Sequence, residues 1–247
     1  MYHLHNERER YEPEEAARKA LAMGGPLPER LALIAADFRA RLADYSRAID
    51  RLVARLTASG TIEAIPAIGE AFPDFILPDS AGHLWRLADA LEDGPLVLSF
   101  HRGYWCDFCH LNMKALAEIS VELAGHGCRI VAISPQNAAN GAKLARDEGA
   151  EFPVLCDVGL GLATALGLAY VIDDDLQREL AILQVDLNVE QLGNGGVMPI
   201  TAAFVLDSTG RIVARHVDPD PRQRMDGGAV LAAVGQATLG DQSAARS

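Results

Sequence analysis

The chain has 247 residues, 49% of them hydrophobic and 6% aromatic, with a formal net charge of −12. That charge excludes nucleic acid and anionic membrane surfaces as partners, because both need a basic footprint. No run of about 18 apolar residues and no charged-then-apolar leader is seen, which predicts a cytoplasmic protein with no membrane partner. The four cysteines, Cys106, Cys109, Cys128 and Cys156, are too few and too unevenly spaced for a secreted disulfide framework.

Pro13 to Met23 reads as a short helix that begins on proline and stops at Gly24-Gly25-Pro26. From Leu31 to Leu56 the apolar positions Leu31, Ile34, Phe38, Leu42, Tyr45, Ile49, Leu52 and Leu56 mostly alternate steps of three and four. That period predicts one long amphipathic helix stopped by Ser59-Gly60. Its apolar stripe has two destinations, the chain's own domain or a homodimer seam with a second copy. Residues 1–62 are therefore expected to form a helical extension, 63–240 one domain and 241–247 a disordered tail.

Residues 73–87 read as two short strands around a turn. Strands and helices then alternate: a buried strand at 96–100, a helix at 106–124, a strand at 128–134, a helix at 137–149 and a short strand at 152–155. A helical stretch at 160–167 follows, and Asp173-Asp174-Asp175 is expected to cap a further helix rather than bind calcium. A hairpin of residues 202–206 and 211–214 precedes a last helix at 226–237. This order predicts an α/β fold with a mixed central sheet flanked by helices.

The stretch Trp105-Cys106-Asp107-Phe108-Cys109 lies where the apolar strand gives way to a helix. A thiolate is the nucleophile of sulfur chemistry, and the first turn of a helix offers it free N–H groups and a positive dipole end. Cys106 sits at that turn. Cys109 lies about one turn further, within disulfide reach. Arg102 either holds the thiolate or is a solvated strand-end charge, and His101 reads as packing or surface. Cys106-Asp107-Phe108-Cys109-His110 also spells the C-x-x-C-H haem attachment signature. No export signal accompanies it and no second ligand pair supports zinc, so neither cofactor nor metal is expected. Cys128 and Cys156 border buried strands and read as structural thiols, with a resolving role for Cys156 as the alternative.

Five segments carry a family likeness in the same order: Phe72-Pro73-Asp74-Phe75-Ile76-Leu77-Pro78-Asp79, Arg102 to Cys109, Val131-Ala132-Ile133-Ser134-Pro135-Gln136, Phe152-Pro153-Val154-Leu155-Cys156-Asp157 and Phe204-Val205-Leu206-Asp207. Together, residues 65–237 resemble the peroxiredoxin-like branch of the AhpC/TSA family on a thioredoxin-like fold. The resemblance implies a thiol peroxidase in which Cys106 attacks the peroxide and Cys109 resolves it, with a thioredoxin- or glutaredoxin-like dithiol as reductant. It also implies that Arg102, Trp105 and Pro199 shape the substrate site, Pro199 as a cis-proline.

Departures from the family matter as much. Peroxiredoxins carry P-x-x-x-T-x-x-C, which fits neither cysteine: Gly103 and Ser99 precede Cys106 at the key positions, Cys106 and Arg102 precede Cys109. No threonine hydroxyl in the motif can orient a peroxide. Tryptophan before C-x-x-C is instead shared with thioredoxins, so a protein-disulfide oxidoreductase using the same pair is the second expectation, and a non-enzymatic redox module the third. Asp107 replaces the proline common in this branch, and a carboxylate there opposes ionisation of Cys106. Pro221 stands where an aromatic is expected.

Overall fold

The computed structural model describes residues 14–244. The chain opens with three helices, α1 (Glu15–Ala22), α2 (Leu27–Arg41) and α3 (Ala43–Ala58). A hairpin of β1 (Ile76–Pro78) and β2 (Leu84–Arg86) and the short α4 (Leu87–Leu91) lead into β3 (Leu96–Phe100), α5 (Asp107–Gly125), β4 (Arg129–Ser134), α6 (Ala138–Glu148) and β5 (Val154–Cys156). After them come α7 (Gly161–Ala165), β6 (Ala169–Val171), α8 (Asp174–Ile182), α9 (Leu187–Glu190) and β7 (Val197–Pro199). Strands β8 (Ala202–Leu206) and β9 (Ile212–Val217) and helix α10 (Gly227–Ala244) complete the fold. Among the described residues no helix is long and apolar enough to cross a membrane.

The central sheet has the order β5-β4-β3-β8-β9. Strands β3, β4 and β5 run parallel, and β8 and β9 are antiparallel to their neighbours. Every residue of β3 is buried, as an apolar run in the middle of a two-sided sheet must be. Leu96, Leu98 and Phe100 enter one core with α3, α7 and α8, while Val97 enters the other with α5 and α10. Alternation of side chains along a strand thus feeds two helical layers from one segment.

The expected helix from Leu31 to Leu56 is divided. Leu42 has φ −123° and ψ 54°, outside helical values, and separates α2 from α3. The two halves serve different surfaces. Leu27, Leu31 and Ile34 of α2 pack over the start of α5, whereas Tyr45, Ala48, Ile49, Leu52 and Leu56 of α3 pack on the sheet core. A straight rod could not reach both, and no glycine or proline marks the break. Leu31, Ile34, Tyr45, Ile49, Leu52 and Leu56 of the apolar stripe are buried within the chain.

The other expected elements agree within a few residues, and Asp173 caps α8 by accepting the Leu176 N–H at 2.9 Å. Strands β6 and β7 were not expected, since three residues hold too little periodicity to read. Helix α10 continues to Ala244, so residues 241–244 of the expected tail are helical. Pro13 and residues 245–247 lie outside the described residues.

Candidate active site

The loop from the end of β3 to the start of α5 carries the two cysteines. Cys106 is the N-cap of α5, with extended φ −104° and ψ 107°. Its carbonyl accepts the N–H groups of Cys109 at 2.8 Å and His110 at 3.1 Å, which places Cys109 in the first turn. Gln136, just after β4, holds the loop by accepting the Tyr104 N–H at 2.5 Å. Gly103 is required there: its φ is +146°, and a Cβ would lie 2.6 Å from Gln136 Cδ. His110 is fully buried, with Nδ1 2.6 Å from Glu148 and Nε2 2.6 Å from the Tyr104 carbonyl. The last residue of the haem signature is therefore committed to holding the loop.

Cations surround the sulfurs. Arg102, 2% exposed, donates from Nη2 to Cys106 Sγ at 3.1 Å and from its backbone N–H to Cys109 Sγ at 3.4 Å. Its guanidinium lies 4.9 Å from the Trp105 ring centroid. Of the two readings of Arg102, the thiol-facing one is what the structure has. Arg224 adds a contact from Nη2 to Cys109 Sγ at 3.8 Å. Sequence reasoning missed Arg224, which lies 115 residues away in the loop after β9 and belongs to no motif. His101 is buried and bonds Ser99 Oγ through Nε2 at 3.0 Å, while its Nδ1 has no hydrogen-bond partner.

The charge of either thiolate opposes ionisation of the other thiol. Burial pushes Cys106 well above the ordinary thiol value, its contact with Cys109 adds to this, and the Arg102 charge opposes it. Burial also opposes ionisation of Cys109, but its contact with Cys106 and the charge of Arg224 hold it well below the ordinary value. The rise at Cys106 thus has burial as its main cause.

The first two helices cover this centre. Ala17, Ala20, Leu27, Leu31 and Ile34 share one apolar cluster with Cys106, Phe108 and Cys109. Phe38 meets Phe108 edge-on at 5.5 Å and Tyr45 at 5.9 Å. Cys106 is only 2% exposed and Cys109 0%. Pro221, in place of the expected aromatic, lines an apolar recess with Phe38, Tyr45, Ile49 and Phe108.

One expectation is overturned. No cis peptide bond occurs among the described residues, so Pro199 is trans. It ends β7, where pairing with Ala169 keeps the chain in a regular extended course, and it lies near Phe100 and His101. Cys128 and Cys156 are buried free thiols. Burial raises Cys128 to about 12 and also raises Cys156, in keeping with structural roles.

Residues 68–215 match the AhpC/TSA family. Similar proteins include the thiol-disulfide oxidoreductase ResA of Bacillus anthracis, 22% identical over 161 residues that cover 65% of this chain and 75% of that one. A putative peroxiredoxin of Mycobacterium tuberculosis is 30% identical over 100 residues, 40% of this chain and 65% of that one. Among solved structures, peroxidoxin BcpB from Mycobacterium tuberculosis superposes with a TM-score of 0.54 at 22% identity, over 68% of this chain and 96% of that one. Reduced Prx3 from Vibrio vulnificus, in complex with hydrogen peroxide, gives 0.55 at 18% identity, over 69% and 99%. These likenesses share the mixed sheet with flanking helices, and the family match begins after α3. The chain belongs to the AhpC/TSA family.

Proposed function

We propose that the chain is a thiol peroxidase that reduces hydrogen peroxide or organic hydroperoxides with the Cys106–Cys109 pair. Cys109 carries the resting negative charge and takes the Cys106 proton as the Cys106 sulfur attacks the terminal peroxide oxygen. An S–O bond forms, the O–O bond breaks and two electrons pass from sulfur to peroxide. The departing alkoxide gains a proton from water and leaves as an alcohol, or as water when the substrate is hydrogen peroxide. The Cys109 thiol then attacks the Cys106 sulfenic acid, an S–S bond forms, and the hydroxyl leaves with the thiol proton as water. A thioredoxin- or glutaredoxin-like dithiol resets the disulfide by exchange. The scheme uses no cofactor or metal, and its need for a dithiol pool fits a cytoplasmic setting.

The observation that carries this reading is a pair of sulfurs sealed beneath α1 and α2, with a guanidinium 3.1 Å from Cys106. A hydroperoxide needs a smaller opening in that cover than another protein's disulfide does. Protein-disulfide exchange is the second reading, favoured by Trp105 before the motif and by the likeness to ResA. Stopped-flow oxidation of reduced protein, followed by Trp105 fluorescence, separates the two. Oxidation far faster than that of free cysteine, abolished in Cys106→Ser and kept without disulfide in Cys109→Ser, is expected. Slow oxidation together with insulin reduction would select the second reading, and a dead Cys109→Ser with an active Cys106→Ser would reverse the two roles.

A further inference from the structure

Tyr104, in the loop between Arg102 and Cys106, is held at three points. Its N–H donates to Gln136 Oε1 at 2.5 Å, its carbonyl accepts from His110 Nε2 at 2.6 Å, and its hydroxyl donates to Asp147 at 2.7 Å. The His110 ring also meets the Tyr104 ring edge-on at 5.1 Å. Its other nitrogen, Nδ1, lies 2.6 Å from Glu148. Asp147 and Glu148 are neighbours in the last turn of α6, so the end of one helix outside the cysteine motif anchors this loop twice.

His110 is 0% exposed and Glu148 5%. A carbonyl oxygen only accepts, so Nε2 carries a hydrogen, and the short contact between Nδ1 and Glu148 holds one further proton. With that proton the pair is neutral overall, whichever atom carries it, and each member satisfies the other in the core. The pair adds no net charge to the sulfurs, so its influence on them runs through geometry.

The sulfur contacts depend on the same loop. Arg102, two residues before Tyr104, donates from its backbone N–H to Cys109 Sγ at 3.4 Å and from Nη2 to Cys106 Sγ at 3.1 Å. The Cys106 N–H donates to the Gly103 carbonyl at 3.2 Å, closing the turn around Tyr104. A shift of the Tyr104 peptide group therefore moves both thiol contacts. We propose that His110 is a positioning residue of the thiol centre: it fixes the Tyr104 carbonyl, and through it Arg102 and Cys106, with Glu148 holding the imidazole in place. The inference rests on the reading of Cys106 and Cys109 as the reacting pair. N–H donors stabilise a thiolate far more than a disulfide sulfur, so these contacts favour the reduced, ionised state. Loosening the loop moves thiol ionisation to higher pH and the disulfide to a lower, more reducing potential.

The test uses the full chain with His110→Met, Glu148→Gln and the two combined. His110→Met alone leaves the Glu148 carboxylate buried without its partner and loses stability. In the double variant that charge is gone, and chemical denaturation should show most of the stability regained. The Tyr104 carbonyl still lacks its donor, so the redox readouts should stay displaced. Alkylation by iodoacetamide is expected to move to higher pH. The equilibrium in a dithiothreitol redox buffer should shift about tenfold toward the disulfide, the scale of weakening one charge-assisted hydrogen bond, which corresponds to about 30 mV. Glu148→Gln alone keeps an amide against Nδ1 and should hold the parent's profile and potential. His110→Gln in the Glu148→Gln background returns a donor to the Tyr104 carbonyl and should restore most of both readouts. A double variant with the parent's profile and potential would overturn the inference, leaving His110 a structural role and the redox pair standing. A His110→Gln variant displaced as far as the methionine one would overturn it too. A parent chain in which Cys106 and Cys109 form no disulfide would remove the redox-pair reading and this inference with it.

Discussion

Replacing Arg30 with methionine should unseal the redox centre. Arg30 is 1% exposed and its partner Glu118 is 40% exposed. Its Nε donates to the Ala20 carbonyl at 3.0 Å, and Nη1 and Nη2 donate to Glu118 at 2.7 and 3.2 Å. One side chain therefore binds α1 and α2 to α5. Methionine retains the aliphatic stem and loses all three hydrogen bonds. Breaking a fully buried pair costs about 3–5 kcal/mol, but Glu118 is exposed enough to rehydrate, which brings the loss to about 2 kcal/mol. At tenfold per 1.4 kcal/mol, the population with lifted helices rises about 30-fold. The assay is the rate at which a bulky aromatic disulfide reagent captures the reduced cysteines, which tracks the open population when closing is fast. That rate should rise about 30-fold while the melting temperature falls by roughly 4–8 °C. A variant that melts earlier yet reacts at the original rate would show that α1 and α2 are not what shields the sulfurs.

Arg102→Met removes the cation nearest Cys106, so the pair should release its first proton at higher pH, and peroxide oxidation at neutral pH should fall about a hundredfold. The iodoacetamide profile should move to higher pH in step; a profile that stays in place would detach Arg102 from the thiolate. Gly103→Ala should cost at least about 2 kcal/mol in chemical denaturation, from its positive φ and the contact with Gln136. Adding Gln136→Ala should recover only part of this, and full recovery would show that φ is not the constraint. Cys128 is raised in the folded state from 9.0 to about 12, so its contribution to stability is whole below the unfolded thiol value and is lost as pH climbs toward 12. Thermal melts at pH 8 and 10.5 should show Cys128→Ala losing less stability than the parent chain, and equal losses would count against a buried neutral thiol.

Much of the fold was legible because its signals are local. The apolar run at Leu96–Phe100, the cysteines at a helix start and the turn at 207–210 each lie within one short window, where periodicity and turn chemistry act. The same holds for Asp173 as a cap. Leu42 was not legible, because the apolar period runs through the break and only two separate docking surfaces impose it. Strands β6 and β7 are too short to show a period, and the cis form expected of Pro199 yielded to the extended pairing of its ribbon.

For the candidate site, the sequence by itself determined the pair Cys106 and Cys109, their place at the start of α5, and the adjacency of Arg102 and Trp105. Chemistry within a few residues is set by backbone geometry, and a window of the sequence contains it. Only the tertiary structure decided that Arg224 reaches the Cys109 sulfur and that α1 and α2 close over both cysteines. Arg224 lies 115 residues from Cys109, and burial and electrostatic coupling depend on distance through space, which the order of residues along the chain does not contain.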